Sequence, residues 1–192
     1  MEKRFLKTLP LAVILLAVVG AAGIFLLQKP VSELPIYARV PDFVLTERSG
    51  RNVSLSDLAG RPWIADFIFT RCAGQCPMIS SGMAVLAREL KNARMVSFSV
   101  DPDYDTPPIL AEYAKNYGAD KGWLFLTGDR EILNRLTTTL HMNKIDEPMM
   151  HSASFVLVDA QGAVRGFYES NDPAAIEKLK QDHACLVHIG GN

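Results

Sequence analysis

Two cysteines separated by three residues carry the strongest chemical signal in this sequence. Cys72 and Cys76 stand within residues 71–77. The apolar run at residues 63–69 predicts a buried strand before them, and the apolar spacing in residues 78–90 predicts a helix after them. About four residues make one helical turn, so both sulfur atoms can face one side, where helix amides favour thiolates. Such a pair can form a disulfide or hold a soft metal ion.

The elements around this pair alternate between strands and helices, which predicts an α/β domain. Their order favours a largely parallel central sheet with helices on both faces and a β-hairpin at its N-terminal side. Thr106 and Asp129 are expected to cap two of the helices, and the last helix is expected to run from Pro173 to about His183. A cysteine pair after the first core strand, with a closing hairpin and helix, indicates a thioredoxin-like fold.

A third ligand would distinguish a metal site from a simple redox pair. His151 lies just before the strand predicted at residues 154–158. In a thioredoxin-like sheet the loop before this strand lies against the cysteine turn, where thioredoxin carries a proline and this chain offers a histidine. A set of Cys72, Cys76 and His151 suits Cu(I), and also Cu(II) or Zn(II).

The N-terminal residues predict a membrane anchor. Residues 9–27 carry no charge and, at about 1.5 Å per residue, span roughly 28 Å, close to the thickness of a hydrocarbon core. The run is long for a cleaved signal peptide, and no A-x-A-like site follows it, which favours an uncleaved anchor. Basic residues before the run place the N-terminus in the cytoplasm. We therefore expect a single-pass protein of a bacterial inner membrane, with its domain in the periplasm.

The chain thus divides into five predicted segments. They are a basic cytoplasmic N-terminus at 1–8, a transmembrane anchor at 9–28, a linker at 29–40, a thioredoxin-like domain at 41–185 and a tail at 186–192.

Composition excludes several function classes. The net charge of the 192 residues is −1. Residues 1–29 have a net charge of +3, so the remaining residues have a net charge of −4. The domain therefore lacks the basic field that nucleic-acid binding requires. Three cysteines are too few for a disulfide scaffold.

Four stretches in fixed order carry a resemblance to a known family. They read FIFTRCAGQCP at 67–77, SVDPDYDTP at 99–107, WLFLTG at 123–128 and MHSA at 150–153. Over roughly residues 40–170 the sequence resembles the Sco/SenC family of membrane-anchored copper proteins, and the predicted anchor agrees with this.

The resemblance implies copper bound by Cys72, Cys76 and His151. It also implies copper delivery to, or thiol reduction at, the binuclear copper centre of cytochrome c oxidase. The expected partners are the copper-containing subunit of that oxidase and other periplasmic copper or thiol proteins. In the family the loop that contains Asp101 lies near the metal, so this carboxylate is expected to act just outside the ligand set.

Several other residues allow two interpretations each. Asp66 is a charge within the predicted core strand, where it is either buried and hydrogen-bonded or turned outward at an edge. Met149 and Met150 flank the histidine, either as auxiliary Cu(I) ligands or as apolar contact surface. The C-terminal His183, Cys185 and His188 form either a second metal cluster or a frayed end that carries a free thiol.

Three functions compete for the cysteine pair. The first is a copper metallochaperone, and the second is a periplasmic thiol-disulfide oxidoreductase in which Cys72 and Cys76 are the catalytic redox pair. A third, peroxide reduction, is disfavoured because Phe69 stands where peroxiredoxins carry a threonine. His151 discriminates the first two, since a dithiol enzyme does not require it.

Overall fold

The computed structural model describes residues 34–90, 93–140 and 153–190, and these form eight strands and five helices. The strands are β1 (Ala38–Arg39), β2 (Val44–Glu47), β3 (Asn52–Ser54), β4 (Trp63–Ile68), β5 (Arg94–Ser99), β6 (Trp123–Thr127), β7 (Ser154–Val158) and β8 (Ala163–Glu169). The helices are α1 (Leu55–Leu58), α2 (Cys76–Glu89), α3 (Pro107–Asn116), α4 (Arg130–Thr139) and α5 (Pro173–Gly190).

The strands form one sheet in the order β1-β8-β7-β4-β5-β6-β2-β3. Only the β4–β5 and β5–β6 pairings are parallel, and every other pairing is antiparallel. The expectation of a largely parallel sheet was therefore wrong. The reason is that β2–β3 and β7–β8 are hairpins, which are antiparallel by construction, and each hairpin adds to one side of the three-strand parallel centre.

Helices cover both faces of the sheet, as predicted. Successive side chains of β4 alternate between the faces, so Trp63 and Phe67 join one apolar cluster while Ile64 and Ile68 join the other. The first cluster is closed by α1 and α4, and the second by α2, α3 and α5. The cysteine helix therefore packs on the second face, together with α3 and α5.

The helix ends follow the sequence signals in part. Thr106 occupies the N-cap of α3, although its side chain makes no capping hydrogen bond. Asp129 caps α4, because its carboxylate accepts a hydrogen bond of 2.9 Å from the Ile132 amide. Helix α5 continues beyond the expected end near His183 to Gly190. Leu186, just past that end, is buried in the second cluster and extends the packing of the helix.

No helix within the described ranges has the length and apolar character needed to cross a membrane. The anchor predicted at residues 9–28 lies outside those ranges.

Candidate metal centre

The cysteine turn connects the end of β4 to the start of α2. Cys76 is the first residue of the helix and Pro77 the second, which suits proline because the first helical amides have no intrahelical partner. Cys72 lies in the turn before the helix, and its amide donates to the Phe69 carbonyl over 3.1 Å. Both cysteines are free thiols and belong to the same apolar cluster. Structure and sequence agree that the pair sits where a core strand meets a helix start.

The Cys72 thiol is half-buried and surrounded by backbone amides. Burial by itself raises its pKa, but hydrogen bonds from the Cys76 and Gly74 amides outweigh it, and the pKa lies below its ordinary value. The Gly74 amide donates to Cys72 Sγ at 3.4 Å. The arrangement makes the thiolate of Cys72 more favourable than that of an ordinary cysteine.

The Cys76 thiol has the opposite character. It is buried, and burial raises its pKa to about 12. The neighbouring sulfur of Cys72 and the carboxylate of Asp66 make smaller contributions to this raised pKa. The two thiols are therefore unequal, with an accessible, acidic sulfur at Cys72 and a protected, weakly acidic one at Cys76.

We expect iodoacetamide at pH 8 to alkylate Cys72 of the reduced protein more than about tenfold faster than Cys76, because only thiolates react. Peptide mapping by mass spectrometry measures both rates in one sample. Equal rates would contradict the inequality of the two thiols. The variant Cys185→Ser, which leaves the turn unchanged, removes the third thiol from the comparison.

A buried carboxylate on the neighbouring loop holds the turn in place. Asp105 is fully buried and accepts hydrogen bonds from Thr70 Oγ1 at 2.5 Å, from the Thr70 amide at 3.2 Å and from Ser99 Oγ at 2.6 Å. Burial raises its pKa even though these donors lower it. Asp105 thereby ties the residue two positions before Cys72 to the end of β5. Sequence reasoning missed this role, although the repeated aspartates of DPDYDTP were a signal for it.

Asp101, the residue expected near the metal, is half-buried and lies two residues after the end of β5. Its carboxylate pairs with Arg71, whose Nη2 and Nε atoms donate to Asp101 Oδ2 over 2.5 Å and 3.0 Å. The Arg71 guanidinium also stacks on the Tyr104 ring, 4.3 Å from its centroid. Asp101 thus contacts Arg71, the residue that directly precedes Cys72. Arg71 and Tyr104 were not singled out from the sequence.

Asp66 is neither hydrogen-bonded nor at an edge, the two alternatives left open above. It lies in β4, fully buried, and neither carboxylate oxygen has a hydrogen-bond partner. Ser97 stands opposite it on β5 and lowers the pKa only in part, and its hydroxyl accepts a hydrogen bond of 2.8 Å from Trp123 Nε1. Burial dominates and raises the pKa of Asp66 to about 7.

His151, Met149 and Met150 lie outside the described residues. The chain resumes at Ala153, which packs into the same apolar cluster as Cys72 and Cys76. Next to it, β7 pairs with β4, the strand that leads into the cysteine turn.

The C-terminal residues do not form the cluster that their spacing had suggested. In α5 they point in different directions: His183 is buried, Cys185 is half-buried and His188 is exposed. The His183 Nε2 atom is buried without a hydrogen-bond partner, and burial lowers the pKa of this side chain. Within the described part of the chain, no three histidine, cysteine or acidic side chains are grouped to hold a metal ion. The second metal site is therefore not formed by these three residues.

Comparison with known proteins identifies the family. A family model for SCO1/SenC matches residues 35–187. The chain is 33% identical over 159 residues to an SCO1 protein homolog of Bacillus subtilis (strain 168), which covers 77% of this chain and 82% of the relative.

Solved structures agree with this assignment. The structure of BsSco, a protein with a disulfide switch described as a member of the Sco family of cytochrome c oxidase assembly proteins, superimposes with a TM-score of 0.72 at 31% identity and covers 83% of this chain and 98% of that one. Copper-bound ScoI of Bradyrhizobium japonicum has the same fold, with a TM-score of 0.59 at 24% identity over 75% and 99% of the two chains. The expected thioredoxin-like Sco fold is confirmed. Because the family model spans most of the chain and the Bacillus relative is a third identical over most of its length, the protein belongs to the SCO1/SenC family.

Proposed function

We propose that this protein binds copper through Cys72, Cys76 and His151 and delivers it to, or maintains the thiols of, the binuclear copper centre of cytochrome c oxidase. The observation that carries the proposal is the pair of free, neighbouring thiols at the start of α2. Thiolates are the soft ligands that Cu(I) prefers. Relatives with the same fold are described as oxidase assembly proteins and as copper-bound, which agrees with this role.

The residues present fit a copper ion as cargo. Backbone amides already stabilise a thiolate at Cys72, whereas Cys76 has to release its proton when the metal binds. His151 stands two residues before Ala153, which contacts the cluster that contains both cysteines. A neutral imidazole from that segment completes the donor set.

The proposed location is the outer face of a bacterial inner membrane, with residues 9–28 as the anchor. Their length and lack of charge support it, as does the basic segment before them. The proposed partner is the copper-containing subunit of the oxidase.

The anchor is tested by carbonate extraction of membranes from cells that express the full chain. The protein is expected to stay in the membrane pellet, and its release into the supernatant would contradict an anchor.

Copper titration of the full-length, reduced protein tests the ligand set. In a Cys185→Ser background we expect one Cu(I) per chain, measured anaerobically against a competing chelator. Cys72→Ser and Cys76→Ser are expected to abolish tight binding. His151→Ala is expected to weaken it by about a hundredfold or more, since even residues outside the ligand set cost 10–100-fold.

The control for this titration is His188→Ala, which removes an exposed histidine of α5 and is expected to bind like the parent. If the parent binds no copper at the cysteine pair, the proposal is wrong. A His151→Ala variant with full affinity would remove that residue from the ligand set.

A second function, thiol-disulfide exchange, is favoured by the inequality of the two thiols. The Cys72 thiolate would attack a partner disulfide, which forms a mixed disulfide and releases one partner thiolate. Cys76, after loss of its proton, would then attack Cys72 Sγ and release the second thiolate, leaving this chain oxidised and the partner reduced. Ready reduction of a model disulfide by a parent protein that binds no copper would establish this function in place of the first.

A further inference from the structure

A cavity of about 310 Å³ lies at the end of the sheet opposite the cysteines. Arg94 begins β5, Gly122 directly precedes β6, and Arg61 lies two residues before β4. These three strands are parallel, so their amino ends meet at one edge of the sheet, while the cysteine turn follows the carboxyl end of β4. The cavity is therefore separate from the proposed copper site.

Cations dominate the lining of this cavity. Arg51, Arg61, Arg94 and Lys121 contribute four positive charges, against the single carboxylate of Asp57. The whole chain has a net charge of −1 and residues 1–33 have a net charge of +2, so the domain from residue 34 onward has a net charge of −3. Four cations around one cavity are thus a local concentration on an acidic domain.

The charge of Asp57 partly offsets those of Arg51 and Arg94, but among the described residues it forms no ion pair with them. None of the ion pairs found in the described ranges involves any of the four. The Asp57 carboxylate accepts instead from the Ser54 amide at 2.8 Å and the Ser54 hydroxyl at 2.6 Å, as the cap of α1.

Arg94 is held in place at the cavity. Its Nη1 atom donates to the Asp57 carbonyl at 2.6 Å, which fixes the position of the guanidinium. Burial lowers the pKa of Arg94, and the positive charges of Arg61 and Arg51 add to that effect. An anion in the cavity would relieve this repulsion.

We propose that the cavity binds a phosphate group, supplied either by a small soluble phosphate compound or by the headgroup of an anionic phospholipid. Arginine presents a planar fork of donors that matches phosphate oxygens, and three arginines converge here. The volume equals that of about ten water molecules, which leaves room for a phosphate and the group esterified to it.

Two probes distinguish the sources of the phosphate. Inorganic phosphate is titrated into the full-length protein at constant ionic strength, followed by calorimetry and by the NMR signal of the Gly122 amide. In parallel, the protein is mixed with vesicles of phosphatidylglycerol or of phosphatidylcholine. The test variant is Arg51→Gln with Lys121→Gln, two exposed positions whose replacement leaves the core intact.

The matched control is Arg88→Gln with Arg135→Gln, which removes the same charge at exposed helix positions outside the cavity. We expect the test variant to weaken phosphate binding by about tenfold or more and the control to change it little. A response to phosphatidylglycerol vesicles alone, lost in the test variant only, assigns the site to a lipid headgroup. Binding of neither probe, or equal loss in both variants, overturns the proposal, and neither result bears on copper binding at Cys72 and Cys76.

Discussion

Replacing Asp105 with alanine is expected to lower the free energy of unfolding by about 3 kcal/mol or more. The buried carboxylate accepts hydrogen bonds from Thr70 and Ser99, and its loss leaves buried donors without partners. Urea denaturation monitored by tryptophan fluorescence measures the change. Because Thr70 lies two residues before Cys72, the variant is also expected to bind Cu(I) more weakly under native conditions.

Asp103→Ala provides the matched control for this prediction. Asp103 lies two residues earlier on the same loop, where its side chain is 80% exposed and paired with Arg130. Exposed ion pairs contribute little, so the control is expected to change stability by less than about 1 kcal/mol. Similar losses in both variants would show that Asp105 does not anchor the turn. The conservative variant Asp105→Asn is expected to recover only part of the stability, since its amide nitrogen cannot accept hydrogen bonds.

Asp66→Asn is expected to make the protein more stable than the parent at pH 8, with little difference at pH 4. Burial raises the pKa of Asp66 to about 7 in the folded protein, whereas the unfolded chain has the ordinary value of 3.8. Between these values the folded state keeps a proton that the unfolded state has lost. The parent therefore loses stability as the pH rises from about 4 to about 7, by at most about 4 kcal/mol in total.

Denaturation at pH 4, 6 and 8 measures this slope in the parent and in the variant. The difference between the two isolates Asp66, because other titrating groups such as Asp105 and His183 contribute equally to both. Asp42→Asn makes the same chemical change at an exposed position and serves as the control. A parent and an Asp66→Asn variant with parallel pH profiles would mean that the carboxylate has a partner or solvent access when folded.

The sheet illustrates where sequence patterns were informative and where they were not. Periodicity and turn residues predicted the strands and helices from residue 42 onward, because local spacing determines which residues share a face. They did not reveal that the hairpin of β2 and β3 adds antiparallel to β6, with Thr46 opposite Thr127. Partner choice between distant strands depends on the packing of the whole sheet. The two-residue strand β1 was missed for the same reason, since only its pairing with β8 makes it a strand.

The candidate site shows the same division. Cys72 and Cys76 were found from their spacing between a strand and a helix, because a local motif is sufficient to place two sulfur atoms on one turn. Their chemical inequality was not predictable, since the protection of Cys76 and the unpartnered charge of Asp66 depend on which helix covers that face. The spacing of His183, Cys185 and His188 was misleading, because it said nothing about which sides of α5 are buried.

The amino-acid sequence by itself determined the thiol pair, the alternation of strands and helices and the family. Each of these depends on motifs and spacings between residues that are close together in the chain. The tertiary structure alone decided that Asp105 anchors the cysteine turn, that Asp66 is buried without a partner and that four cations meet around one cavity. These features join residues that are far apart in sequence, such as Arg51 and Lys121. Their proximity follows from the register and order of the strands, which only the folded sheet establishes.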